Sequence, residues 1–356
     1  MNLSNGKYFL FLPHADKEGC GTLYNLEPAN DHVKNSFVML PYQATVNEPV
    51  SASFYHIKST TEVSDIDIPI AKNTTSTPIA LRATTSKEHY LATVRELKKN
   101  IQQGNVYELN YCMEFFSEGV SIDPFLTFLK LQALTKAPYS AFVKLGDDFI
   151  LSASPELFLK KDGNTLHTKP IKGTIKRGRT EEEDERLKRT LHSSIKERTE
   201  NVMAVDVARN DLSQLAAKGS VTVNKLYNIE SFETVHQMVS TVSCTLKENT
   251  SFHHIMAATF PMASMTGAPK LSAVQLIDKH ENFKRHVYSG AMGIIDDKED
   301  FTLSVIIRSI FYNQKTKRLS LAVGGAITYL SEPEKEYEEC LLKAQALLEA
   351  LDAKIV

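Results

Sequence analysis

Apolar residues recur at helical spacing between residues 85 and 104. They follow one another every three or four positions, at Leu91, Val94, Leu97 and Ile101. This spacing places them on one face of a helix. Thr85 and Glu88 have the separation of a capping box, and Gly104 can end the helix. The pattern therefore predicts a helix that begins near Thr85.

Several other segments carry strand character, with β-branched and aromatic residues bounded by turn signals. Single strands are predicted over 105–116, 220–232 and 235–246. Residues 141–163 are typical of two strands around a Gly-Asp-Asp turn, and residues 301–330 of a strand pair across a polar turn. The chain is therefore expected to be rich in antiparallel pairs.

Three further helices are predicted, over 181–215, over 268–280 with a proline in its first turn, and from about residue 335 onward. Helices and strands are mixed without a regular βαβ order. An α+β fold is therefore favoured over a doubly wound parallel sheet.

The best internal boundary is a Ser- and Thr-rich stretch over residues 59–86 that contains two prolines. We expect residues 1–84 to form a short β-rich segment with this connection, and residues 85–356 to form the catalytic domain. The two parts are expected to pack as one compact unit.

The composition gives no sign of a nucleic-acid-binding, membrane, zinc-binding or disulfide-rich protein. The 356 residues are 42% hydrophobic and 24% charged with a net charge of -2, which is ordinary for a soluble protein. Such a balance favours no nucleic-acid or membrane partner. The four cysteines fit neither a zinc site nor a disulfide framework, and no apolar run approaches the ~20 residues of a membrane span. A cytoplasmic location is expected.

Positive charge is concentrated in the segment HTKPIKGTIKRGRT, residues 167–180, around Lys172. Four other cations lie within seven residues of it: Lys169, Lys176, Arg177 and Arg179. The segment is either a solvated turn or the setting of a lysine that works as a nucleophile. Neighbouring cations and partial burial both lower the pKa of a lysine, so a depressed pKa is expected for Lys172.

Two pairs of glutamates have the spacing of one helix face. Glu197 and Glu200 are three residues apart, as are Glu336 and Glu339, and Lys343 follows at the next turn. Glu339 and Lys343 alone are typical of a surface ion pair. If the two helices converge, however, their carboxylates offer the oxygen ligands that Mg²⁺ prefers together with an anionic substrate.

Seven motifs occur in one order over roughly residues 85–352: SPELF, KPIKGT, ENVMAVDVARNDL, VHQMVSTV, TGAPK, YSGAMG and GGAITYLSEPEKEYEE. Together they resemble the chorismate-utilising enzymes. The resemblance implies two orthogonally packed antiparallel sheets with helices outside. It also implies an Mg²⁺-dependent site between the sheets and the helices.

Within that group, PIKGT is similar to the branch that aminates chorismate at C4, the aminodeoxychorismate synthases, whereas other branches typically carry alanine in place of Lys172. The resemblance implies that Lys172 attacks C2 and that Glu156 is the general acid for the departing 4-hydroxyl. Glu108 stands where aminating relatives usually carry glutamine; it could position or deprotonate the incoming ammonium. Anthranilate synthase component I and a non-catalytic chorismate-binding subunit are the alternatives.

By the same resemblance, Glu200 and Glu339 would bind Mg²⁺, and Glu197 and Glu336 would bind it or its waters. Lys343 would pair with the ring carboxylate. The remaining implied substrate contacts are Gly173, Thr174, His236, Thr266, Tyr288, Arg308, Gly324, Gly325 and Ala326.

None of the four cysteines lies in the Gly-x-Cys-x-Gly elbow of a glutamine amidotransferase. The expected partners are therefore chorismate, and either free ammonia or a separate amidotransferase subunit that supplies it.

Overall fold

A computed structural model describes residues 6–14, 19–30, 34–43, 45–46, 49–64, 78–232 and 235–356. The strands of these residues are β1 (Tyr8–Pro13), β2 (Gly21–Ala29), β3 (Ser36–Leu40), β4 (Ser53–Val63), β5 (Ile79–Ala83), β6 (Glu108–Ser117), β7 (Tyr139–Leu145), β8 (Asp148–Ser154), β9 (Leu157–Asp162), β10 (Thr165–Thr168), β11 (Ile171–Lys176), β12 (Thr222–Ser231), β13 (Val235–Thr245), β14 (Gly267–Ala268), β15 (Ala291–Ile295), β16 (Phe301–Val305), β17 (Ser309–Asn313), β18 (Arg318–Thr328) and β19 (Ala353–Ile355). The helices are α1 (Lys87–Gln102), α2 (Pro124–Thr135), α3 (Glu181–Ser193), α4 (Ile195–Leu215), α5 (Phe252–Thr259), α6 (Lys270–His280) and α7 (Pro333–Leu351).

The predicted first helix is present as α1, but its cap lies one residue later than expected. Ser86 is the N-cap, and its hydroxyl accepts a hydrogen bond from the His89 backbone N–H at 3.2 Å. Thr85 is instead buried, and its hydroxyl has no partner within the described residues. Gly104 follows the helix with a positive φ of 79°, which favours glycine.

The helix predicted over 181–215 is two helices, α3 and α4. Ser194 has extended backbone between them, and its hydroxyl accepts from the Glu197 N–H at the start of α4. A serine at this position satisfies one of the free donors of the new helix, so the chain can turn there at low cost. Helices α2 and α5 were not predicted.

Two predicted strand pairs each contain a third strand. Residues 141–163 include β9 as well as β7 and β8, because Pro155 and Glu156 interrupt the extended run. Residues 301–330 include β16, which ends before Arg308, a residue with a positive φ of 51°. Both interruptions place a charged residue, Glu156 or Arg308, at the end of a strand.

The α+β class is confirmed. The strands pair in a continuous antiparallel series, with β5 and β19 forming a parallel pair. In one arm β13 pairs with β12 along one edge and with both β10 and β11 along the other, and the series continues from β10 through β9 and β16 to β15. The other arm runs from β2 through β1, β7, β8, β17 and β18 to β6. The arms join through β3 and β4, so the hydrogen bonding does not divide into two separate sheets.

Strands before and after residue 85 pair directly, since β1 pairs with β7 and β3 with β15. The proposed boundary at residues 84 and 85 stays a prediction, and residues 65–77 of the Ser- and Thr-rich stretch lie outside the described residues.

Side-chain alternation builds the cores. Phe9 and Phe11 of β1 point into a core shared with α1, α2 and α7, while Leu10 points into a second core on the other face. A third core lies under α4 and α5. Helix α4 therefore packs on β11 and β13 of one arm, and α7 packs on β18 of the other. In the part of the chain that the structure describes, no helix is long and apolar enough to cross a membrane.

Candidate active site

A cavity of about 580 Å³ lies where α4, α7, β11, β13 and β18 meet. Both arms of the strand series contribute to its wall. The lining is rich in ionisable groups: Glu156, Lys172, Lys176, Lys196, Glu197, Glu200, Arg308, Glu336, Glu339 and Lys343. A cavity that gathers this many ionisable groups, four of them buried, is suited to binding a charged small molecule.

The two glutamate pairs face each other across this cavity, as their spacing allowed. They meet at Lys196, whose Nζ lies 3.2 Å from Glu336 Oε1 and 3.9 Å from Glu200 Oε1. Glu200 and Glu336 are buried, at 6% and 2% exposure. Glu200 Oε1 and Glu336 Oε2 have no hydrogen-bond partner within the described residues. Within the described residues, these carboxylates therefore have more hydrogen-bond acceptors than there are donors to fill them, and more negative charge than Lys196 neutralises.

Burial disfavours the ionised form of the glutamates in this cavity. Burial raises the pKa of Glu200 to about 8, and burial also raises the pKa of Glu197. Burial opposes ionisation of Glu339 too, but Lys343, at 2.7 Å from its Oε1, outweighs this and holds the pKa below its usual range. Positive charge placed between the helices would favour the ionised form of all of them.

Lys172 lies on β11 and is buried at 8% exposure. Its ammonium donates to a carboxylate oxygen of Glu108 on β6, 64 residues away in the chain. Burial alone would lower the pKa of Lys172, but the negative charges of Glu108 and then Glu200 outweigh it and raise the pKa above its usual range. The expectation of a depressed pKa is therefore wrong for the protein without its ligands.

The cations around Lys172 have partners of their own. Lys169 pairs with Glu230 at 3.5 Å, and the Arg177 guanidinium binds Asp184. Lys176 lines the cavity. The segment is neither a simple solvated turn nor a ring of cations aimed at Lys172, because carboxylates surround the buried amine.

Glu156 occupies the break between β8 and β9, where its backbone N–H donates to Ser154 Oγ at 3.3 Å. The side chain is buried, and burial raises its pKa to about 7 despite the opposing effects of Ser264 and Lys172. A carboxyl group with such a pKa can hold a proton near neutral pH and give it up during a reaction.

The same cavity also offers groups that can bind an anion. The Arg308 guanidinium makes no salt bridge with any residue that the structure describes, although it lines the cavity beside Tyr288. Burial lowers the pKa of Arg308 and raises that of Tyr288. Gly324 and Ala326 of β18 lie on the same wall. A half-buried guanidinium that makes no salt bridge within the described residues is a good site for a carboxylate.

Two glycines allow close approach at this site. Gly173 has a positive φ of 88°, and a Cβ there would lie 2.8 Å from Glu197 Oε2. A Cβ on Gly324 would lie 2.3 Å from Cys112 Sγ. Lys343 donates to the Gly324 carbonyl at 2.8 Å, so this backbone also fixes the position of the ammonium.

Most of the predicted site residues are brought together here, and four are placed differently. His236 is fully buried, with Nε2 at 2.9 Å from Asp184 Oδ1 and Nδ1 at 2.9 Å from Ser231 Oγ. Thr266 is also fully buried, and its hydroxyl donates to the Met262 carbonyl at 2.9 Å.

The other two residues are not part of the cavity lining but contact residues that are. Gly325 backs onto the glutamates, because a Cβ there would lie 3.4 Å from Glu336 Oε2. Glu108 reaches the site through its contact with Lys172.

The prediction that His236 and Thr266 complete the pocket is therefore not met by the structure. For His236 the reason is the alternation of β13, since Val235 and Gln237 line the cavity and the residue between them faces away.

Several lining residues were not predicted: Asn110, Lys196, Gln237 and Ser264. Lys196 lies four residues before Glu200, so its position on the same face of the helix could have been noticed. Gln237 could have been found from the alternation of β13, given the face that its neighbours occupy.

This fold and site define a family. The chain belongs to the chorismate binding enzymes, whose family model matches residues 6–349.

Named relatives divide between two reactions. The chain is 40% identical over 291 residues to an aminodeoxychorismate synthase of Arabidopsis thaliana, covering 81% of this chain and 31% of that protein. It is 35% identical over 271 residues to an anthranilate synthase component 1 of Aquifex aeolicus, covering 76% of this chain and 54% of that protein. The chain thus spans well under two thirds of the length of either relative.

A solved structure supports the fold over nearly the whole chain. Anthranilate synthase component I from Streptococcus pneumoniae superposes with a TM-score of 0.74 at 21% identity, covering 97% of this chain and 90% of that one. At this identity the likeness concerns the fold alone.

Proposed function

We propose that this protein aminates chorismate at C4 and forms 4-amino-4-deoxychorismate. The observation that carries the proposal is Lys172, a buried amine on the wall of a cavity that also contains Glu156 and both glutamate pairs. The 40% identity to an aminodeoxychorismate synthase supports the same reaction.

Mg²⁺ is the proposed cofactor. Glu200 and Glu339 would bind it directly, and Glu197 and Glu336 would bind it or its waters. Within the described residues no three acidic, His or Cys side chains already form a metal cluster. Mg²⁺ nevertheless needs few protein ligands, since it keeps waters and binds anionic substrates, and the unpartnered oxygens of Glu200 and Glu336 fit this requirement. When bound, the ion would supply positive charge for the ring carboxylate.

The two carboxylates of chorismate match two sets of groups in the cavity. Lys343 would pair with the ring carboxylate near α7, with Gly173 and Thr174 along its side. Arg308 and Tyr288 would hold the enolpyruvyl carboxylate with the backbone N–H groups of Gly324, Gly325 and Ala326. The absence of an ion pair for Arg308 in the described chain supports this orientation.

The proposed reaction has two substitutions. Lys172 loses a proton, and its nitrogen forms a bond to C2 while both ring double bonds shift and the C4–O bond breaks. Glu156 gives its proton to the departing hydroxyl, which leaves as water. Ammonia then bonds to C4, both double bonds shift back, and the C2–N bond breaks to release Lys172.

Glu108 is the proposed proton acceptor for this sequence. It contacts the Lys172 ammonium, so it can take the proton that Lys172 must lose. The same carboxylate can position or deprotonate an incoming ammonium ion. Ammonia would come from solution or from a separate glutamine amidotransferase, in the cytoplasm, and the product would feed 4-aminobenzoate and folate biosynthesis.

The second candidate is anthranilate synthase component I, which the Aquifex relative favours. That reaction would place the amino group at C2 and release pyruvate. Purified protein incubated with chorismate, Mg²⁺ and ammonium separates the two by mass spectrometry. 4-Amino-4-deoxychorismate without pyruvate supports the proposal, and anthranilate with stoichiometric pyruvate would overturn it.

A further inference from the structure

Gln237 presents an unused hydrogen-bonding group to the cavity. Its side chain lines the wall and is 6% exposed. Its Oε1 is buried without a partner, and no hydrogen bond joins its amide to any residue that the structure describes. Buried polar groups are nearly always hydrogen-bonded, so an exception that faces a cavity points to a ligand.

The position of Gln237 is fixed by the sheet. Strand β13 lies between β11 and β12, and Gln237 is paired with Thr174 on one side and with Glu230 on the other. The next residue back along the strand, His236, has both ring nitrogens engaged by protein groups. The two adjacent residues therefore differ. His236 is hydrogen-bonded to other protein groups, whereas the amide oxygen of Gln237 has no partner within the described residues and its side chain lines the cavity.

The chemistry of the amide selects its ligand group. A carboxamide donates through its NH₂ and accepts through its oxygen, but it carries no charge and does not titrate near neutral pH. Carboxylates are better matched by the cations of this cavity, Arg308 and Lys343. A hydroxyl or an amino group, which both donates and accepts, is the natural complement of Gln237.

We infer that Gln237 is a specificity-determining contact for the ring hydroxyl of the substrate and for the amino group that replaces it. The inference rests on the proposed function, because chorismate carries one hydroxyl besides its two carboxylates. Gln237 positions this substituent and takes no part in proton transfer.

The test compares two ligands on Gln237→Met, which keeps an unbranched side chain of similar length and removes both hydrogen-bonding groups. Calorimetry with Mg²⁺ and without ammonia gives the affinity for chorismate and for 3-(1-carboxyvinyloxy)benzoate, which keeps both carboxylates and lacks the hydroxyl. Gln102→Met, at the exposed end of α1, is the matched control. Melting curves establish that each variant is folded.

Gln237→Met should bind chorismate about tenfold more weakly, the worth of one hydrogen bond in a buried site, and bind the benzoate analogue as the wild type does. Gln102→Met should change neither affinity. Equal weakening of the binding of both ligands by Gln237→Met, or no change in either affinity, would overturn the inference. The proposed function would still stand in that case if the wild-type protein converted chorismate to the 4-amino product. A wild-type protein that fails to bind chorismate would overturn both.

Discussion

The molecule contains two buried ion pairs, each between a lysine and an acidic residue, that are almost equally buried but differ in whether the lysine borders the cavity. The Lys172 and Glu108 side chains are 9% and 5% exposed, and those of Lys270 and Asp211 are 9% and 8% exposed. Lys270 Nζ lies 2.6 Å from Asp211 Oδ2 and also donates to the Thr259 carbonyl, joining α6 to α4. Lys172 instead borders the cavity. Burial and pairing therefore do not distinguish Lys270 from Lys172, the proposed nucleophile, whereas access to the cavity does.

The largest effect is expected at Lys172. Lys172→Ala removes the nucleophile and should lower formation of the 4-amino product by on the order of 10³-fold. The melting temperature should change little, because water in the cavity can solvate Glu108. Lys172→Arg keeps the charge but cannot attack, so its activity should be equally low. If a Lys172 variant lost as much stability as Lys270→Met, the two lysines could no longer be distinguished by their roles in catalysis and in stability.

Glu200→Gln and Glu339→Gln each remove an anionic ligand while nearly preserving shape. Activity should fall by on the order of 10²-fold or more, and calorimetry should show weaker Mg²⁺ binding with little change in melting temperature. Glu338→Gln, on the exposed side of the same helix as Glu339, is the control and should behave as the wild type. Wild-type activity of Glu200→Gln at limiting Mg²⁺ would exclude it as a ligand.

Lys270→Met should act on stability. It leaves the buried Asp211 carboxylate, whose pKa burial already raises to about 6, without its counter-ion. Removing one partner of a buried pair typically costs about 3–5 kcal/mol of unfolding free energy. Urea denaturation measures the loss, and the folded fraction should keep its turnover number. Lost turnover in a fully folded sample would show that this pair also serves the reaction.

The pKa of Glu156 predicts a pH dependence. The protonated acid is present below about pH 7, so turnover should fall as the pH rises through that value. The folded-state pKa lies above the ordinary value, so the native state binds a proton that the unfolded state has already released. Stability should therefore also fall as pH rises from about 4.5 to 7. Glu156→Gln should abolish the trend in turnover and weaken the trend in stability, to which Glu200 and Asp211 also contribute because burial raises their pKa values. A stability trend as steep as that of the wild type would show that Glu156 does not contribute to it.

Lys196→Met is expected to have the smallest effect. Burial alone would lower the pKa of Lys196, but Glu336 and Glu200 raise it, so the ammonium lies charged between two proposed metal ligands. Removing this competing charge should tighten Mg²⁺ binding by about three- to tenfold by calorimetry. Weaker binding would show that Lys196 instead holds the glutamates in place for the ion.

Local patterns predicted much of the molecule, because helix faces depend on residues three and four apart. The glutamate pairs of α4 and α7 were found in this way. The partners of the charged residues could not be predicted from local patterns. The sheet brings Lys172 and Glu108 together although they are 64 residues apart in the chain. For the same reason the loop cations were assigned to Lys172, although Glu230 and Asp184 bind two of them.

The face of a strand was equally hard to assign. Alternation predicts that His236 and Gln237 point to opposite sides, but not which of them faces the cavity. That depends on the packing of α4 over β11 and β13, which involves segments far apart in the chain.

The central claim, that Lys172 bonds covalently to the substrate, has a direct test by trapping. Protein held with chorismate and Mg²⁺ in the absence of ammonia is digested and examined by mass spectrometry. The peptide that contains Lys172 should carry an adduct with the mass of chorismate less one water, and ammonium should discharge it as 4-amino-4-deoxychorismate. The absence of any adduct, together with full formation of the 4-amino product by Lys172→Ala, would contradict the claim.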